Sequence, residues 1–83
     1  MYEIRLLPSA EKDLDQFSLK IFNKLKSRIL TLADNPRAFG SLKLTNEEGF
    51  RIRVGDYRIL YRIDENLKEV YIYRIKHRKD VYK

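Results

Sequence analysis

The 83-residue sequence contains no cysteine and no tryptophan, and it has a single histidine. Without cysteine it has neither a disulfide framework nor a thiolate metal site, which is compatible with a reducing compartment. No apolar run approaches transmembrane length, and the first 13 residues, MYEIRLLPSAEKD, are too polar for a signal peptide. A cytoplasmic location without a membrane partner is therefore expected.

Glycine and proline are scarce as well, with three and two residues, and no repeat or low-complexity tract occurs. Hydrophobic residues make up 43% of the chain and charged residues 36%. This balance is typical of a folded globular chain rather than a disordered one. The length allows one domain, residues 1–83, with one modest hydrophobic core.

Acidic residues are lacking in one half of the chain, so the net charge of +6 is unevenly placed. Residues 1–49 hold eight Lys and Arg against seven Asp and Glu, whereas residues 50–83 hold ten against five. A basic segment concentrated in one structural unit favours an anionic partner, nucleic acid first. The alternative is a basic surface that serves only solubility.

The first half of the chain predicts a strand followed by two helices. The strand covers residues 2–7 and ends at Pro8, and Ser9 is expected to cap the first helix. Apolar residues at helical spacing predict helices over about 9–17 and 20–33, or one continuous helix, because no strong breaker separates them. The segment that follows contains turn formers and one short strand candidate, SLKL.

From Phe50 onward the apolar period changes to two, which predicts three strands, FRIRV, YRILYRI and EVYIYRI. The segments GD and DENLK join them as turns. The predicted order is β-α-α-β-β-β, an α+β domain. Its helical hairpin should pack on one face of a mostly antiparallel four-stranded sheet.

The hairpin FRIRVGDYRILYRI carries four arginines on one predicted face. If Gly55-Asp56 forms a two-residue turn, Arg53 lies opposite Arg58, and the apolar residues and tyrosines alternate into the core. Like charges opposite each other destabilise a sheet, and no acid accompanies them on these strands. Guanidinium groups bind phosphate oxygens well, so anion binding is favoured over a merely solvated face. The residues of this face are Arg51, Arg53, Arg58, Leu60 and Arg62.

The C-terminal segment IKHRKDVYK adds groups that could take part in phosphodiester chemistry. His77 is of the type that moves protons near neutral pH, although a lone histidine is often structural. Arginine cannot act as a base at neutral pH, but it can stabilise the charge of a pentacoordinate phosphorane.

Two segments, GSLKLTNEEGFRIRVGDYRILYRI and YIYRIKHRKDVY, resemble the RelE/ParE superfamily of bacterial toxin–antitoxin systems, and its RelE-like branch in particular. The resemblance implies a metal-independent, cofactor-free endoribonuclease that cleaves mRNA, usually in the ribosomal A site. The 2′-hydroxyl attacks the adjacent phosphate and leaves a cyclic phosphate and a 5′-hydroxyl. It also implies a cognate antitoxin that covers the toxin's concave surface, with operator DNA bound only by the toxin–antitoxin complex.

The resemblance assigns roles by position. Arg58 matches the arginine after the tight turn, Arg78 the basic residue closing the last strand, and Tyr82 the C-terminal aromatic residue; all three are candidate catalytic residues. Arg51 and Arg53 fall where the family often has lysine or arginine. They are expected to bind RNA together with Arg62 and Lys76.

Arginine at positions 51 and 53 is a departure, because some members have lysine there and only lysine could act as a base. Proton transfer is therefore assigned first to His77, with Tyr82, Lys76 or the ribosome as alternatives. Because the sequence ends at Lys83, no further C-terminal helix is expected.

Two other functions remain open from the sequence. One is a ParE-like inhibitor of DNA gyrase, which would share the fold without the RNA-cleaving residues. The other is a non-catalytic RNA-binding module, in which tyrosines stack on bases. Tyr57 and Tyr61 are expected in the core, which argues against such stacking, whereas the direction of Tyr71 and Tyr73 is open.

Overall fold

A computed structural model describes residues 1–37, 40–44 and 49–81. Two helices cover one face of a five-stranded sheet, and a one-turn helix follows the last strand. The predicted α+β class, with a helical hairpin on a mostly antiparallel sheet, is confirmed. The elements are β1 Glu3–Leu6, α1 Pro8–Asp15, α2 Leu19–Thr31, β2 Ser41–Lys43, β3 Phe50–Val54, β4 Tyr57–Asp64, β5 Glu69–His77 and α3 Arg78–Val81.

The sheet has the strand order β1-β5-β4-β3-β2. All neighbours are antiparallel except β1 and β5, which pair in parallel. The predicted order counted four strands and left SLKL only as a candidate; the structure makes it a fifth, because β2 forms an edge strand alongside β3. A strand of three residues offers too few positions for a period-two pattern. The short helix α3 was not expected either.

The two main helices begin for different reasons. The prediction that Ser9 caps α1 was wrong: the N-cap is Leu7 and Pro8 opens the helix, a position where the missing N–H costs nothing. Ser9 lies inside the first turn. Ser18 caps α2, since its side chain accepts a hydrogen bond from the backbone N–H of Ile21 at 3.4 Å. No helix in the described ranges is long and apolar enough to span a membrane.

Gly55 and Asp56 form the predicted two-residue turn between β3 and β4. Gly55 has a φ of 59°, as a II′ turn requires of its first central residue, and glycine adopts this conformation without strain. The turn fixes the register of the hairpin, which agrees with the prediction throughout. The pairs are Arg51 with Leu60, Ile52 with Ile59, Arg53 with Arg58 and Val54 with Tyr57.

The core lies between the helices and one face of the sheet. Burial on both sides removes apolar surface from water, which is the main source of stability here. Tyr61 is fully buried within it, and its hydroxyl donates to the carbonyl of Pro36 at 2.6 Å, so the polar group is satisfied. The buried apolar residues are Ala10, Leu14, Leu25, Ile29, Leu32, Ile52, Val54, Ile59, Tyr61, Val70, Ile72 and Ile75.

A β-bulge interrupts the pairing of β4 with β5. Tyr61 pairs with Ile72, but Leu60 pairs with Arg74, so Tyr73 is an extra residue in β5. The bulge is visible in the apolar spacing of the sequence, because the buried apolar residues of β5 are Val70, Ile72 and Ile75 rather than an unbroken period of two.

Candidate functional site

Three cations lie side by side across three adjacent strands, on the outer sheet face, away from α1 and α2. Arg53 of β3 pairs with Arg58 of β4, and Arg58 pairs with Lys76 of β5. Paired residues on neighbouring strands lie about 5 Å apart at their Cα atoms. We call Arg53, Arg58 and Lys76 the cation row.

Arg78 lies next to the tight turn between β3 and β4, at the end of the cation row. The backbone N–H of Arg78 donates to the carbonyl of Asp56 at 2.6 Å, which ties the start of α3 to the β3–β4 turn. Arg53 Nε donates to the carbonyl of Gly55 at 3.1 Å. Arg78 is exposed and is therefore held near the cation row while remaining open to a ligand.

Like charges lie close together on this part of the face. In the described part of the chain, no salt bridge involves Arg53, Lys76 or Arg78. Such an arrangement costs stability through repulsion. It presents several donors in fixed positions to an anion, which guanidinium groups bind through paired hydrogen bonds.

The other two predicted RNA-binding arginines extend this face in different directions. Arg51 is half-buried opposite Leu60, two residues before Arg53. Arg62 lies four residues beyond Arg58 on β4, a distance of about 13 Å. Its guanidinium lies 5.1 Å from the ring centre of Tyr73, a cation–π contact. Arg62 is therefore separate from the cation row.

His77 is not brought together with the cation row. It pairs with Tyr57 and lies on the helix-facing side of the sheet, where the two ring centres are 5.0 Å apart at 88°. Its Nδ1 accepts the backbone N–H of Lys79 at 3.2 Å. In neutral histidine this bond places the proton on Nε2, so the remaining ring atom is a donor rather than a base. The predicted role of His77 in proton transfer stays a prediction, without geometric support.

The remaining predicted catalytic residue, Tyr82, lies outside the described residues. The directions of the two tyrosines left open by the sequence are now defined. Tyr71 lies on the outer face, where its hydroxyl donates to Glu69 Oε1 at 3.0 Å, and Tyr73 is the bulged residue beneath Arg62. Tyr57 and Tyr61 face the helices, as predicted.

At the opposite end of the sheet, cations are paired with carboxylates. We call this the paired-charge end; its salt bridges join Arg5 to Glu3 and Glu69, and both Arg37 and Lys68 to Glu65. β4 extends one residue beyond its predicted end, and Asp64 places an acid on the outer face there.

The ion pairs at this end shift the pKa values of their members. A hydrogen bond from Arg37, with another from Tyr2, lowers the pKa of Glu65 to about 2. A hydrogen bond from Arg5, followed by one from Tyr71, lowers the pKa of Glu69 below its ordinary value. The same bond to Glu69 raises the pKa of Tyr71. Both carboxylates therefore stay ionised in neutral solution and balance the local cations.

An open concavity of about 820 Å³ lies next to the paired-charge end rather than the cation row. Arg62 is the predicted RNA-binding residue that lines it, along with Tyr71 and Tyr73. Asp64 and Glu65 also line it, so its charge is mixed. Charge complementarity to phosphate therefore favours the cation row, which is an open surface, over this concavity.

Two polar residues that matter for this geometry were missed from the sequence. Ser9 and Asp13 of α1 make hydrogen bonds to the bulged part of β5. Ser9 was interpreted as a cap, and no contact of Asp13 with β5 was predicted. The one available signal was their spacing of four residues, which places both side chains on the same side of α1.

Comparison with known proteins gives consistent matches over nearly the whole chain. Residues 4–82 match the family model of the ParE toxin of type II toxin–antitoxin systems, parDE. The toxin RelG of Mycobacterium tuberculosis is 34% identical over 92 residues, covering 99% of this chain and 97% of that protein. A putative toxin RelE4 of Methanocaldococcus jannaschii is 28% identical over 87 residues, covering 100% and 93% of the two chains.

Solved structures show the same architecture. A chain in the crystal structure of the toxin–antitoxin complex RelBE2 from Mycobacterium tuberculosis has a TM-score of 0.84 at 31% identity, covering 93% of this chain and 98% of that one. The isolated RelE toxin of E. coli has a TM-score of 0.81 at 20% identity, covering 99% and 92%. At that identity the second likeness shows the fold alone.

Proposed function

Because the chain belongs to the RelE/ParE superfamily and is a toxin of a type II toxin–antitoxin system, we propose that it is a ribosome-dependent endoribonuclease that cleaves mRNA. The observation that carries this proposal is the cation row, in which Arg53, Arg58 and Lys76 occupy paired positions on three neighbouring strands. Arg78 is held at the end of the same row. This surface suits a chain of phosphates.

In the proposed reaction, the ribose 2′-oxygen attacks the adjacent phosphorus and the bond from phosphorus to the 5′-oxygen breaks. The 2′-hydroxyl proton passes to a base, and the departing 5′-oxygen takes up a proton. The products are a 2′,3′-cyclic phosphate and a 5′-hydroxyl. Arg58 and Arg78 would hold the non-bridging oxygens and stabilise the charge that develops on them.

Binding and proton transfer would fall to different residues. Arg51, Arg53 and Arg62 would hold the phosphate backbone on either side of the scissile bond. Lys76 lies beside Arg58 on the outer face, whereas His77 lies on the helix-facing side, so Lys76 is the better placed of the two to meet the message. A base supplied by Tyr82 or by the ribosome is the remaining possibility.

The same surface would be closed by an antitoxin when the toxin is held inactive. The RelBE2 structure from M. tuberculosis is a toxin–antitoxin complex, and the chain matches 98% of the similar chain in it. We therefore propose a cognate antitoxin that covers the cation row, and operator DNA binding by the pair rather than by the toxin alone. A face with several closely spaced cations would favour an antitoxin segment that brings carboxylates to it.

The decisive experiment is induction of the chain in a bacterial host with mapping of message 5′ ends. The wild type should arrest growth and produce new 5′ ends within translated regions, and Arg58→Ala should produce neither. Lys26→Ala is the matched control, because it removes one positive charge from an exposed position of α2. It should behave like the wild type.

Purified protein separates this function from the alternatives. Cleavage of mRNA on programmed ribosomes, without inhibition of DNA gyrase, is expected. The names of the two relatives, RelE4 and RelG, support this expectation. Gyrase inhibition without message cleavage would replace the proposal with a ParE-like activity. RNA binding without either effect would indicate a non-catalytic module.

A further inference from the structure

The first helix supports the edge of β5 where its neighbouring strand stops. β1 pairs with β5 only as far as Leu6 with Ile72. Beyond Ile72, α1 lies along β5 in place of a strand. Backbone groups of β5 that point toward this side would lack a ladder partner, and such groups are costly to leave unsatisfied.

Two side chains of α1 supply the missing partners. Ser9 Oγ donates to the carbonyl of the bulged residue Tyr73 at 2.5 Å. Asp13 Oδ2 accepts the backbone N–H of Ile75 at 2.8 Å and Nε of Arg74 at 2.9 Å. The Asp13 side chain is only 14% exposed, so water competes little for these bonds.

The bulge decides which face the next residues of β5 occupy. With Tyr73 as the extra residue, Arg58 pairs with Lys76 and Ile75 enters the core. Without it, the register would move by one residue, and every later side chain would change face. Ile75 would then lie opposite Arg58, and Lys76 would lie opposite Tyr57 on the helix-facing side.

We propose that Asp13, assisted by Ser9, is a positioning residue of the candidate site. It stabilises the bulge at Tyr73 and so holds Lys76 beside Arg58 and places the start of α3, which begins at Arg78. Its effect on RNA cleavage rests on the proposed function; its effect on the register of β5 does not. The bulge and its two helix contacts therefore connect the folding of α1 to the geometry of the cation row.

The test compares Asp13→Ala with Asp15→Ala, which removes the same side chain from an exposed position on the same helix. In the Asp13 variant, NMR should show faster exchange of the Ile75 amide and loss of the cross-strand contacts between Arg58 and Lys76. The kcat for message cleavage should fall at least about tenfold, with KM within about twofold, because the reacting groups are misplaced rather than lost. Asp15→Ala should match the wild type in all three measurements.

Two milder variants keep the test decisive if Asp13→Ala does not fold. Asp13→Asn retains an oxygen that can accept from Ile75 N–H and should keep the register and most of kcat. Ser9→Ala should speed amide exchange around Tyr73 and lower kcat by less than Asp13→Ala.

Each outcome bears on the proposal in one direction. Retention of the Arg58–Lys76 contacts in Asp13→Ala would overturn it, as would a kcat loss no larger than that of Asp15→Ala. Where Asp13→Ala does not fold, unchanged exchange and kcat in Ser9→Ala, or loss of the register in Asp13→Asn, would overturn it. If the wild type cleaves no message, the proposed function fails, while the NMR measurements still decide whether Asp13 sets the register.

Discussion

The two ends of the sheet differ in how their cations are paired. At the paired-charge end, Arg5, Arg37 and Lys68 each meet a carboxylate, and the pKa values of Glu65 and Glu69 are lowered accordingly. In the cation row, Arg53 lies opposite Arg58, and Lys76 follows, without a salt bridge to Arg53 or Lys76 among the described residues. At one end the cations are joined to carboxylates, and at the other like charges occupy paired positions on neighbouring strands.

Fold stability alone does not account for this difference. Exposed salt bridges contribute little, so the paired-charge end stabilises mainly by avoiding repulsion and by satisfying Glu69, which is buried. In the cation row, Arg53 and Arg58 are like charges at paired positions, which is unfavourable on a sheet. A surface that keeps an unfavourable local arrangement is best explained by binding, and strain of this kind is typical of functional sites.

The largest effect should come from removing the centre of the cation row. Arg58→Ala should lower single-turnover cleavage of ribosome-bound message by about a hundredfold or more, since in the proposed mechanism Arg58 stabilises the developing charge. Arg58→Lys should recover part of that loss, because lysine restores the charge but not the guanidinium fork. Arg5→Ala, at the paired-charge end, should leave the rate within a few-fold. Equal rates for Arg58→Ala and Arg5→Ala would remove the distinction between the two ends.

The next prediction concerns His77, which lies on the opposite side of the sheet from the cation row. His77→Asn retains an acceptor near the position of Nδ1 for the Lys79 N–H, whereas His77→Gln does not. We expect the Asn variant to cleave within about threefold of the wild type and the Gln variant to be somewhat slower, both with an unchanged pH–rate profile. A large loss in both variants together with an altered profile would establish His77 as the base despite its position.

The sequence predicted the arginine face well because pairing in this hairpin depends only on residues close together in the sequence. A glycine at the turn and alternating apolar residues are enough to set the Arg53–Arg58 register. The position of Lys76 and His77 was not predictable in the same way. It depends on one extra residue in β5, and that bulge is held by Ser9 and Asp13, more than sixty residues away in the chain.

The contrast between the ends should also appear in the salt dependence of RNA binding. Each phosphate contact on single-stranded RNA contributes about 0.7 to the slope of log K against log salt. Arg53→Ala should therefore lower the slope by about that amount. Arg37→Ala should leave it unchanged, because Glu65 already neutralises Arg37. A flat salt dependence in the wild type would argue against the cation row as the binding surface.

Introducing a carboxylate should make the cation row resemble the paired-charge end. Arg53→Glu places opposite charges at the Arg53–Arg58 position, which should raise the free energy of unfolding by a fraction of ~1 kcal/mol. The same change should weaken RNA binding and reduce toxicity. Urea unfolding and filter binding measure the two effects. A variant that is less stable than the wild type would show that repulsion in the cation row is not a cost to the fold.

The smallest effect belongs to Glu65 at the paired-charge end. Its pKa of about 2 in the folded chain lies below the ordinary value of 4.5. Ionised Glu65 therefore favours the folded state above about pH 4.5, and this contribution disappears as the pH falls toward 2. Glu65→Gln should slightly lower Tm at neutral pH, with a difference that shrinks through this range, while message cleavage stays unchanged. A constant difference in Tm across that range would mean that Glu65 acts through packing, and that its ion pairs with Arg37 and Lys68 add nothing.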